Sequence, residues 1–160
     1  MERIKNMQLS KKRIMIVDDD ATSLAIATAM LEDDYEVVTA KSGLQALGCL
    51  QGKDVPDLIL LDMIMPGTSG MEVLKTLKET PGLRQIPVIF LTSMESVDFK
   101  LEGFINGADD FLQKPIHAEL MKMKIRRQLH IFQLEQENQL LQQKLQLLRN
   151  RIDKVFDEVI

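Results

Sequence analysis

The segment Asp57-Leu-Ile-Leu-Leu61, followed at once by Asp62, is the most hydrophobic strand-like stretch of this 160-residue chain. Its run of consecutive apolar residues indicates a strand buried on both faces, as in a parallel sheet that is covered by helices. The strand ends abruptly at a carboxylate, and a Pro66-Gly67 turn follows soon after. Other parts of the chain repeat this pattern of a buried strand that ends at a polar side chain.

Strand-like runs alternate with helical patterns over most of the chain. We predict strands at Arg13–Val17, Glu36–Ala40, Asp57–Leu61, Pro87–Leu91 and Phe111–Gln113. Helices are predicted at Ala21–Glu32, Gly43–Leu50, Met71–Lys78 and Val97–Ile105, and a fifth helix is expected to start near Pro115. Apolar strands separated by helices predict one α/β domain with a doubly wound, five-stranded parallel sheet and right-handed crossovers.

Polar residues stand at the carboxyl ends of four of these strands. Asp18 and Asp19 follow the first strand, Asp62 the third, Thr92 the fourth and Lys114 the fifth. Open α/β sheets bind their ligands at this edge, where the strand order reverses. We therefore expect these residues to converge although they are far apart in the sequence.

The acidic run Asp18-Asp-Asp20 has two interpretations. Three adjacent carboxylates repel one another, and Mg²⁺ would neutralise them through the hard oxygen ligands that it prefers. Alternatively, Asp20 is the N-cap of the following helix and the other two carboxylates are solvated. Asp20 is compatible with the cap in either case.

Asp62, Thr92 and Lys114 are candidates for phosphoryl chemistry. A strand-end carboxylate such as Asp62 completes a metal site or attacks phosphorus to form an aspartyl phosphate, although such residues also commonly cap loops. Thr92 would donate a hydrogen bond to a phosphoryl oxygen, and Lys114 would pair with its charge. Each of these residues is ordinary by itself, so the hypothesis depends on all of them sharing one edge.

Four motifs together resemble a known family. They are Ile14-Met-Ile-Val-Asp-Asp-Asp20, Leu58-Ile-Leu-Leu-Asp-Met-Ile-Met-Pro66 followed by Gly70, Val88-Ile-Phe-Leu-Thr-Ser93, and Phe111-Leu-Gln-Lys-Pro115. In this order and spacing they resemble the receiver domain of bacterial two-component response regulators over about residues 11–127. The resemblance implies a flavodoxin-like fold with strand order 2-1-3-4-5.

The resemblance also implies a role for each site residue. Asp62 would be the phosphoacceptor, with Mg²⁺ held by Asp18, Asp19, Asp62 and the backbone carbonyl of Ile64, and with the phosphoryl group contacted by Thr92 and Lys114. Phe111 matches the aromatic switch position, Ala108 matches a small residue before the fifth strand, and the Lys114–Pro115 bond is expected to be cis. Apolar Ile64 departs from patterns that carry a polar side chain there, which suggests slow self-dephosphorylation. Phe111 lacks the hydroxyl group of a tyrosine, so its inward state is expected to gain no hydrogen bond there.

The C-terminal segment differs in kind from the domain. Apolar residues alternate at spacings of three and four, at Ile131, Leu134, Leu141, Leu145, Leu148, Ile152, Val155 and Val159, with Asn138 in the one gap. This a/d pattern predicts a coiled coil, and Asn138 falls at an a position, where asparagine fixes register and strand number. Lys144 would face Arg149 of a parallel partner, so the charges favour the dimer less clearly.

These patterns predict an N-terminal arm at 1–10, a receiver domain at 11–127 and a coiled-coil extension at 128–160. The expected function is a phosphorylation-dependent switch that receives its phosphoryl group from a sensor histidine kinase or a phosphotransfer protein and homodimerises through the coiled coil. No motif of a catalytic output domain is present. One alternative is the regulatory portion of a signalling enzyme of the diguanylate cyclase type; another is a metal-dependent phosphatase, which the lack of a carboxylate at Ile64 disfavours.

Composition excludes several other functions. A net charge of −4, no Trp and a single Tyr argue against nucleic-acid binding. No apolar run approaches the roughly 20 residues that cross a bilayer. With one cysteine, Cys49, and no signal peptide, a reducing and cytoplasmic setting is expected.

Overall fold

A computed structural model describes residues 10–93 and 97–160. The predicted arm at 1–10 lies, apart from Ser10, outside the described residues. The strands are β1 (Arg13–Val17), β2 (Glu36–Ala40), β3 (Leu58–Asp62), β4 (Val88–Thr92) and β5 (Asp110–Gln113). The helices are α1 (Ala21–Leu31), α2 (Gly43–Leu50), α3 (Gly70–Glu79), α4 (Val97–Ile105) and α5 (Ala118–Val159).

The five strands form one parallel sheet in the order β2-β1-β3-β4-β5. The predicted fold and strand order are therefore confirmed. The order reverses at β1, so that β1 and β3 are neighbours, with Val17 opposite Leu61. This reversal places the carboxyl ends of β1 and β3 side by side at the edge where the site was expected.

The core has two layers because alternate residues of a strand point to opposite faces of the sheet. On one face, Ile59, Leu61 and Phe90 pack with buried residues of α2 and α3. On the other, Leu58 and Leu60 pack with buried residues of α1 and α5. Every residue of β3 is buried, as its apolar run predicted.

Some element boundaries differ from the predicted ones by a few residues. Asp57 precedes β3 rather than opening it, because its carboxylate accepts the backbone N–H of Arg13 at 2.8 Å and anchors the start of the strand. The fifth helix begins at Ala118 rather than near Pro115. Lys114 still donates its backbone N–H to the carbonyl of Thr92 at 2.8 Å, so the chain continues to follow the sheet up to Pro115.

Helix α5 continues from the domain into the predicted extension without a break. It has 42 residues, which corresponds to roughly 60 Å at 1.5 Å per residue. Its buried residues are Met121, Ile125 and Gln128, all in the part that packs against the sheet, whereas every residue from Gln133 to Val159 is exposed. None of the helices in the described ranges has the length and hydropathy of a membrane span.

Candidate functional site

The loop after β1 divides its three carboxylates between two tasks. Asp20 caps α1 by accepting the N–H groups of Thr22 and Ser23, each at 3.2 Å, and the Ser23 hydroxyl at 2.8 Å. These bonds, that of the Ser23 hydroxyl foremost, lower the pKa of Asp20. Asp20 is thus the helix cap, and Asp18 and Asp19 remain for a metal.

Asp18 and Asp62 are held in matching ways at the ends of neighbouring strands. One oxygen of Asp18 accepts the N–H of Asp20 at 3.0 Å, and one oxygen of Asp62 accepts the N–H of Ile64 at 3.1 Å. The other oxygen of each carboxylate accepts a hydrogen bond from Lys114 Nζ, at 2.7 Å for Asp18 and 3.1 Å for Asp62. A single ammonium therefore joins the ends of β1, β3 and β5.

The acidic residues suit a divalent cation. Single carboxylate oxygens of Asp18, Asp19 and Asp62 lie within 4.8 Å of one another, with Asp18 and Asp62 buried and Asp19 exposed. Clustered hard oxygens with one open side match the preference of Mg²⁺, which retains waters and phosphate oxygens in its shell. Coordination by the carbonyl of Ile64 stays a prediction.

Burial and charge act in opposition on the ionisation of this cluster. Burial raises the pKa of the Asp62 carboxyl, and the N–H of Ile64 and the charge of Lys114 offset this only in part. Burial by itself would lower the pKa of Lys114, but its bonds to Asp18 and Asp62 outweigh burial and raise it. Lys114 therefore stays a cation, and Asp62 is a carboxylate that gains from further neutralisation.

Thr92 completes the group of residues predicted from sequence. It is buried at the end of β4, next to β3, where Asp62 is paired with Leu91. The Lys114–Pro115 bond that follows β5 is cis, as the resemblance implied. The structure thus brings Asp18, Asp19, Asp62, Thr92 and Lys114 to one edge of the sheet.

Comparison with known proteins decides the family. The family model of the response regulator receiver domain matches residues 14–126. This chain belongs to that family. It is the receiver domain of a two-component response regulator, and the helical extension follows the matched region.

Curated relatives of this receiver domain are longer proteins. The response regulator PleD of Caulobacter vibrioides is 39% identical over 115 residues, which are 71% of this chain and 25% of PleD. A probable cyclic di-GMP phosphodiesterase of Vibrio cholerae is 33% identical over 156 residues, which are 95% of this chain and 35% of that protein. The chain thus spans about a quarter to a third of the length of these relatives.

Solved structures of receiver domains have the same fold. The chemotaxis protein CheY4 of Vibrio cholerae superposes with a TM-score of 0.70 at 31% identity, over 74% of this chain and 98% of that chain. A CheY-like receiver domain protein of Methanospirillum hungatei gives a TM-score of 0.73 at 28% identity, over 79% of this chain and 99% of that chain.

Gly70 lets α3 begin directly against the backbone of Asp62. Its N–H donates to the carbonyl of Met63 at 3.1 Å, and a Cβ added to it would overlap the carbonyl oxygen of Asp62. Because these are backbone atoms, they have no room to give way. We assigned Gly70 no role from sequence; its position directly after the Ser69 cap of α3 is the local signal that points to a close approach.

The predicted switch residue Phe111 lies inward in an aromatic cluster. Its ring centroid is 5.5 Å from that of Phe90 and 4.8 Å from that of Phe104, which it meets edge-on. Gly103 of α4 lies against the ring: an added Cβ would be 2.6 Å from Phe111 Cζ. Gly103 was also missed from sequence, although a glycine inside a helix often has a packing reason.

Proposed function

We propose that Asp62 is the phosphoacceptor of a Mg²⁺-dependent signalling switch. The observation that carries this proposal is the shared ammonium of Lys114, which bonds one oxygen of Asp18 and one of Asp62. It places a cation and a buried carboxylate side by side at the ligand-binding edge. A phosphoryl group on Asp62 would bring anionic oxygens to a site that is already arranged to balance negative charge.

The proposed reaction is an in-line displacement at phosphorus. A carboxylate oxygen of Asp62 forms the new P–O bond, while the bond from phosphorus to the donor breaks and its electron pair leaves with the donor, the imidazole of a phosphohistidine or the acetate of acetyl phosphate. Mg²⁺, when bound by Asp18, Asp19, Asp62 and the Ile64 carbonyl, supplies charge neutralisation. Lys114 is the residue that would pair with the incoming phosphoryl oxygens.

Thr92 and Phe111 connect this chemistry to the surface in the proposal. Thr92 bonds the phosphoryl group once it is present, and the movement of its side chain changes the space into which Phe111 turns. Phe111 belongs to β5 and packs on Phe104 of α4. Phosphorylation therefore biases the face made by α4, β5 and α5, a two-state switch that is driven by a local charge change.

We propose the remaining features of the switch on the same basis. The chain is a phosphoacceptor rather than an enzyme with its own output reaction, with a receiver domain at 11–127, an arm at 1–10 and a coiled-coil extension at 128–160 that forms a homodimer. Its donor is a sensor histidine kinase or a phosphotransfer protein, and its setting is cytoplasmic. Neither nucleic acid nor a membrane is an expected partner.

A second candidate function is regulation of an enzyme domain in the same polypeptide. The Vibrio cholerae relative aligns with 95% of this chain, a span that takes in helical extension as well as receiver domain, and its name assigns it to cyclic di-GMP hydrolysis. By analogy, this chain would be the regulatory portion of a cyclic-dinucleotide signalling enzyme, of the diguanylate cyclase type or its hydrolytic counterpart. Cloning the native gene and measuring cyclic di-GMP synthesis and hydrolysis by its full product tests this candidate.

Phosphorylation of the purified chain tests the main proposal. With Mg²⁺ and acetyl phosphate, intact-mass spectrometry should show the addition of one phosphoryl group to the wild type and none to Asp62→Asn. Asp57→Asn is the matched control, because Asp57 is a carboxylate that directly precedes the opposite end of β3. A wild type that stays unmodified and also fails to bind beryllofluoride would overturn the proposal.

A further inference from the structure

An apolar seam runs along the exposed part of α5. The seam consists of the residues at the a and d positions of the heptad pattern, all of which are apolar except Asn138. These residues are Ile131, Leu134, Asn138, Leu141, Leu145, Leu148, Ile152, Val155 and Val159. They are widely exposed, with Leu145 at 67% and Val155 at 58%. A helix that leaves its domain in this way lacks the burial of an apolar face that normally stabilises helices, so the seam needs a partner.

The seam faces away from the surface of its own receiver domain against which the first exposed turns of α5 lie. Phe132, on another side of the helix, is half-buried and lines a groove of about 500 Å³ together with Lys12 and Tyr35. At 100° per residue, Phe132 and the buried Ile125 share one side of α5, and the d positions lie on the other side. A second helix can therefore pack on the seam without contacting the receiver domain that carries the seam.

We propose that the seam binds a second copy of this chain, parallel and in register, with pairing that begins at Ile131. The proposal deepens the proposed dimer and rests on it. In this arrangement both receiver domains lie at one end of the stalk, which is the pair of α5 segments from Ile131 to Val159, and both C-termini leave together at the other end. A change at the α4–β5–α5 face of either domain then acts on the same paired helices.

Arg127 sets the start of the pairing. It occupies the d position one heptad before Leu134 and is exposed. In a parallel pair, two Arg127 side chains would face each other, and like charges at such a position repel. The two helices consequently separate on the N-terminal side of Ile131, and this separation leaves space for the two receiver domains.

Asn138 selects parallel over antiparallel pairing. In the parallel alignment it faces the partner subunit's Asn138, so the two amides bond each other. Two antiparallel alignments cover most of the seam, and they place Asn138 against the partner subunit's Leu148 or the partner subunit's Val155. Either one buries two amides without partners, and each unpaired amide weakens association by roughly 5- to 150-fold.

The charged residues beside the seam favour antiparallel pairing, but each of these charge pairs has a smaller effect on affinity than one unpaired amide. Parallel pairing brings Lys144 next to the partner subunit's Arg149, twice per dimer. One antiparallel alignment would instead pair Arg149 with the partner subunit's Glu135 and Arg151 with the partner subunit's Glu137. Exposed pairs of this kind change affinity by only about 1.4- to 5-fold each, a smaller effect than that of each buried and unpaired amide, and we therefore assign the choice of alignment to the asparagine layer.

Two charge reversals in the full chain distinguish the alignments. Arg149→Glu turns the repulsion with Lys144 into attraction, and we expect the dimer dissociation constant to fall by about 2- to 25-fold, as for two exposed ion pairs. Arg151→Glu is the matched control: in the parallel dimer it faces the partner subunit's Phe156, and the constant should not change. Sedimentation equilibrium at low salt measures both constants.

A charge-swap cycle shows that the two positions touch. Lys144→Glu should tighten the dimer as Arg149→Glu does, whereas the double variant restores repulsion and should return the constant close to the wild-type value. Weaker association of Arg149→Glu, or tighter association of Arg151→Glu, would indicate one of the two antiparallel alignments and overturn the proposal.

Disulfide trapping gives a second measurement that does not depend on charge. In a Cys49→Ser background, Ile152→Cys faces its own counterpart only in the parallel, in-register dimer, so mild oxidation should give a covalent dimer. In both antiparallel alignments these residues lie far apart, and a chain that stays uncrosslinked would contradict the proposal. Acetyl phosphate labelling of the same variants tests Asp62 separately, so failure of the stalk pairing and failure of the switch chemistry are distinguishable.

Discussion

Lys114 donates a hydrogen bond to Asp62 at 3.1 Å, which joins residues that are 52 positions apart in the sequence. The accepting oxygen is Oδ2, whereas Oδ1 of the same carboxylate is already held by the N–H of Ile64. Because Lys114 also bonds Asp18, the acidic cluster is partly neutralised by the protein itself. A divalent cation must therefore compete with Lys114 for the same carboxylates.

Replacing Lys114 with methionine should separate metal binding from phosphorylation. Without the ammonium, the carboxylates are less neutralised, and the affinity for Mg²⁺ should rise by about 10-fold. The rate of phosphorylation by acetyl phosphate should fall on the order of 100-fold, as when a charge-stabilising group is removed from an active site. Calorimetric titration and intact-mass time courses measure the two effects.

Lys75→Met is the matched control, since Lys75 is an exposed lysine of α3. It should leave both quantities at wild-type values. Weaker Mg²⁺ binding by Lys114→Met would show that Lys114 organises the acidic cluster rather than competing with the metal.

The raised pKa of Asp62 predicts that its charge destabilises the metal-free fold at neutral pH. A folded-state pKa above the ordinary 3.8 gives a stabilising contribution that is complete below that value and is lost as the pH rises through the folded-state pKa. Asp62→Asn should thus raise the free energy of unfolding at pH 7, by about 1 kcal/mol as is typical of single substitutions, since it removes a charge that the folded state disfavours. Urea unfolding in EDTA measures this gain.

The gain should shrink as the pH falls, because Asp62 of the wild type then becomes neutral as well. In saturating Mg²⁺ it should also shrink or reverse, since the wild type binds the cation more tightly. A variant that is less stable than the wild type in EDTA at pH 7 would show that the bond to Lys114 outweighs burial.

Ile64 offers a test of how long the phosphoryl group persists. It lies two residues after Asp62, and its side chain is 54% exposed at the site edge. A polar side chain there would hydrogen-bond a water near the acyl phosphate, so Ile64→Asn should speed dephosphorylation by about 10-fold, less than the roughly 100- to 10,000-fold of a positioned general base because an amide orients water without taking its proton. Decay of the phosphorylated mass after donor removal measures the rate.

Ile105→Asn is the control for Ile64→Asn, because Ile105 is an exposed isoleucine at the far end of α4. Its decay rate should match the wild type. An unchanged rate for Ile64→Asn would mean that this position does not control access of water to Asp62.

The strands and the site edge were predictable because their signals are local. The apolar run before Asp62 marks β3, and polar residues end the neighbouring strands, so topology alone brings them together. Strand ends shifted by a residue, since a hydrogen bond such as that from the Arg13 N–H to the Asp57 carboxylate is invisible in sequence. The sharing of Lys114 between two carboxylates likewise depends on distances that only the folded chain defines.

The two glycines that received no role from sequence illustrate the same limit. Gly70 and Gly103 matter through atoms that approach from distant elements, the carbonyl of Asp62 and the ring of Phe111. A glycine in a helical pattern indicates that something lies close, but sequence does not identify what it is. The extension of α5 is the opposite case, because its heptad spacing is a local signal and the helix itself could be predicted from it.

Gly103→Ala should displace the ring of Phe111 or destabilise the domain. The new methyl group would lie 2.6 Å from Phe111 Cζ, and overpacking of this kind costs about 1–3 kcal/mol. Gly48→Ala is a close control, since Gly48 is also helical and has no atom within 4 Å of the added Cβ. That variant should gain roughly 0.5–1 kcal/mol from helix propensity.

Urea unfolding gives both free energies, and side-chain NMR of the phenylalanine rings reports the position of Phe111. Equal stabilisation by the two alanines, with an unmoved ring, would show that α4 shifts away readily. In that case the inward position of Phe111 would not depend on Gly103.

Asn138→Leu should strengthen association of the stalk while loosening its stoichiometry. An apolar side chain at this a position removes a buried amide layer, so the assembly should tighten by about 10-fold or more. The loss of the paired amides also removes the feature that limits a coiled coil to one strand number, and trimers or tetramers should appear beside dimers. Gln143→Leu, an exposed residue on the outer side of the helix, is the control and should stay dimeric. Sedimentation equilibrium over a range of concentrations resolves the species. A variant that remains strictly dimeric would show that the receiver domains, rather than Asn138, fix the number of chains.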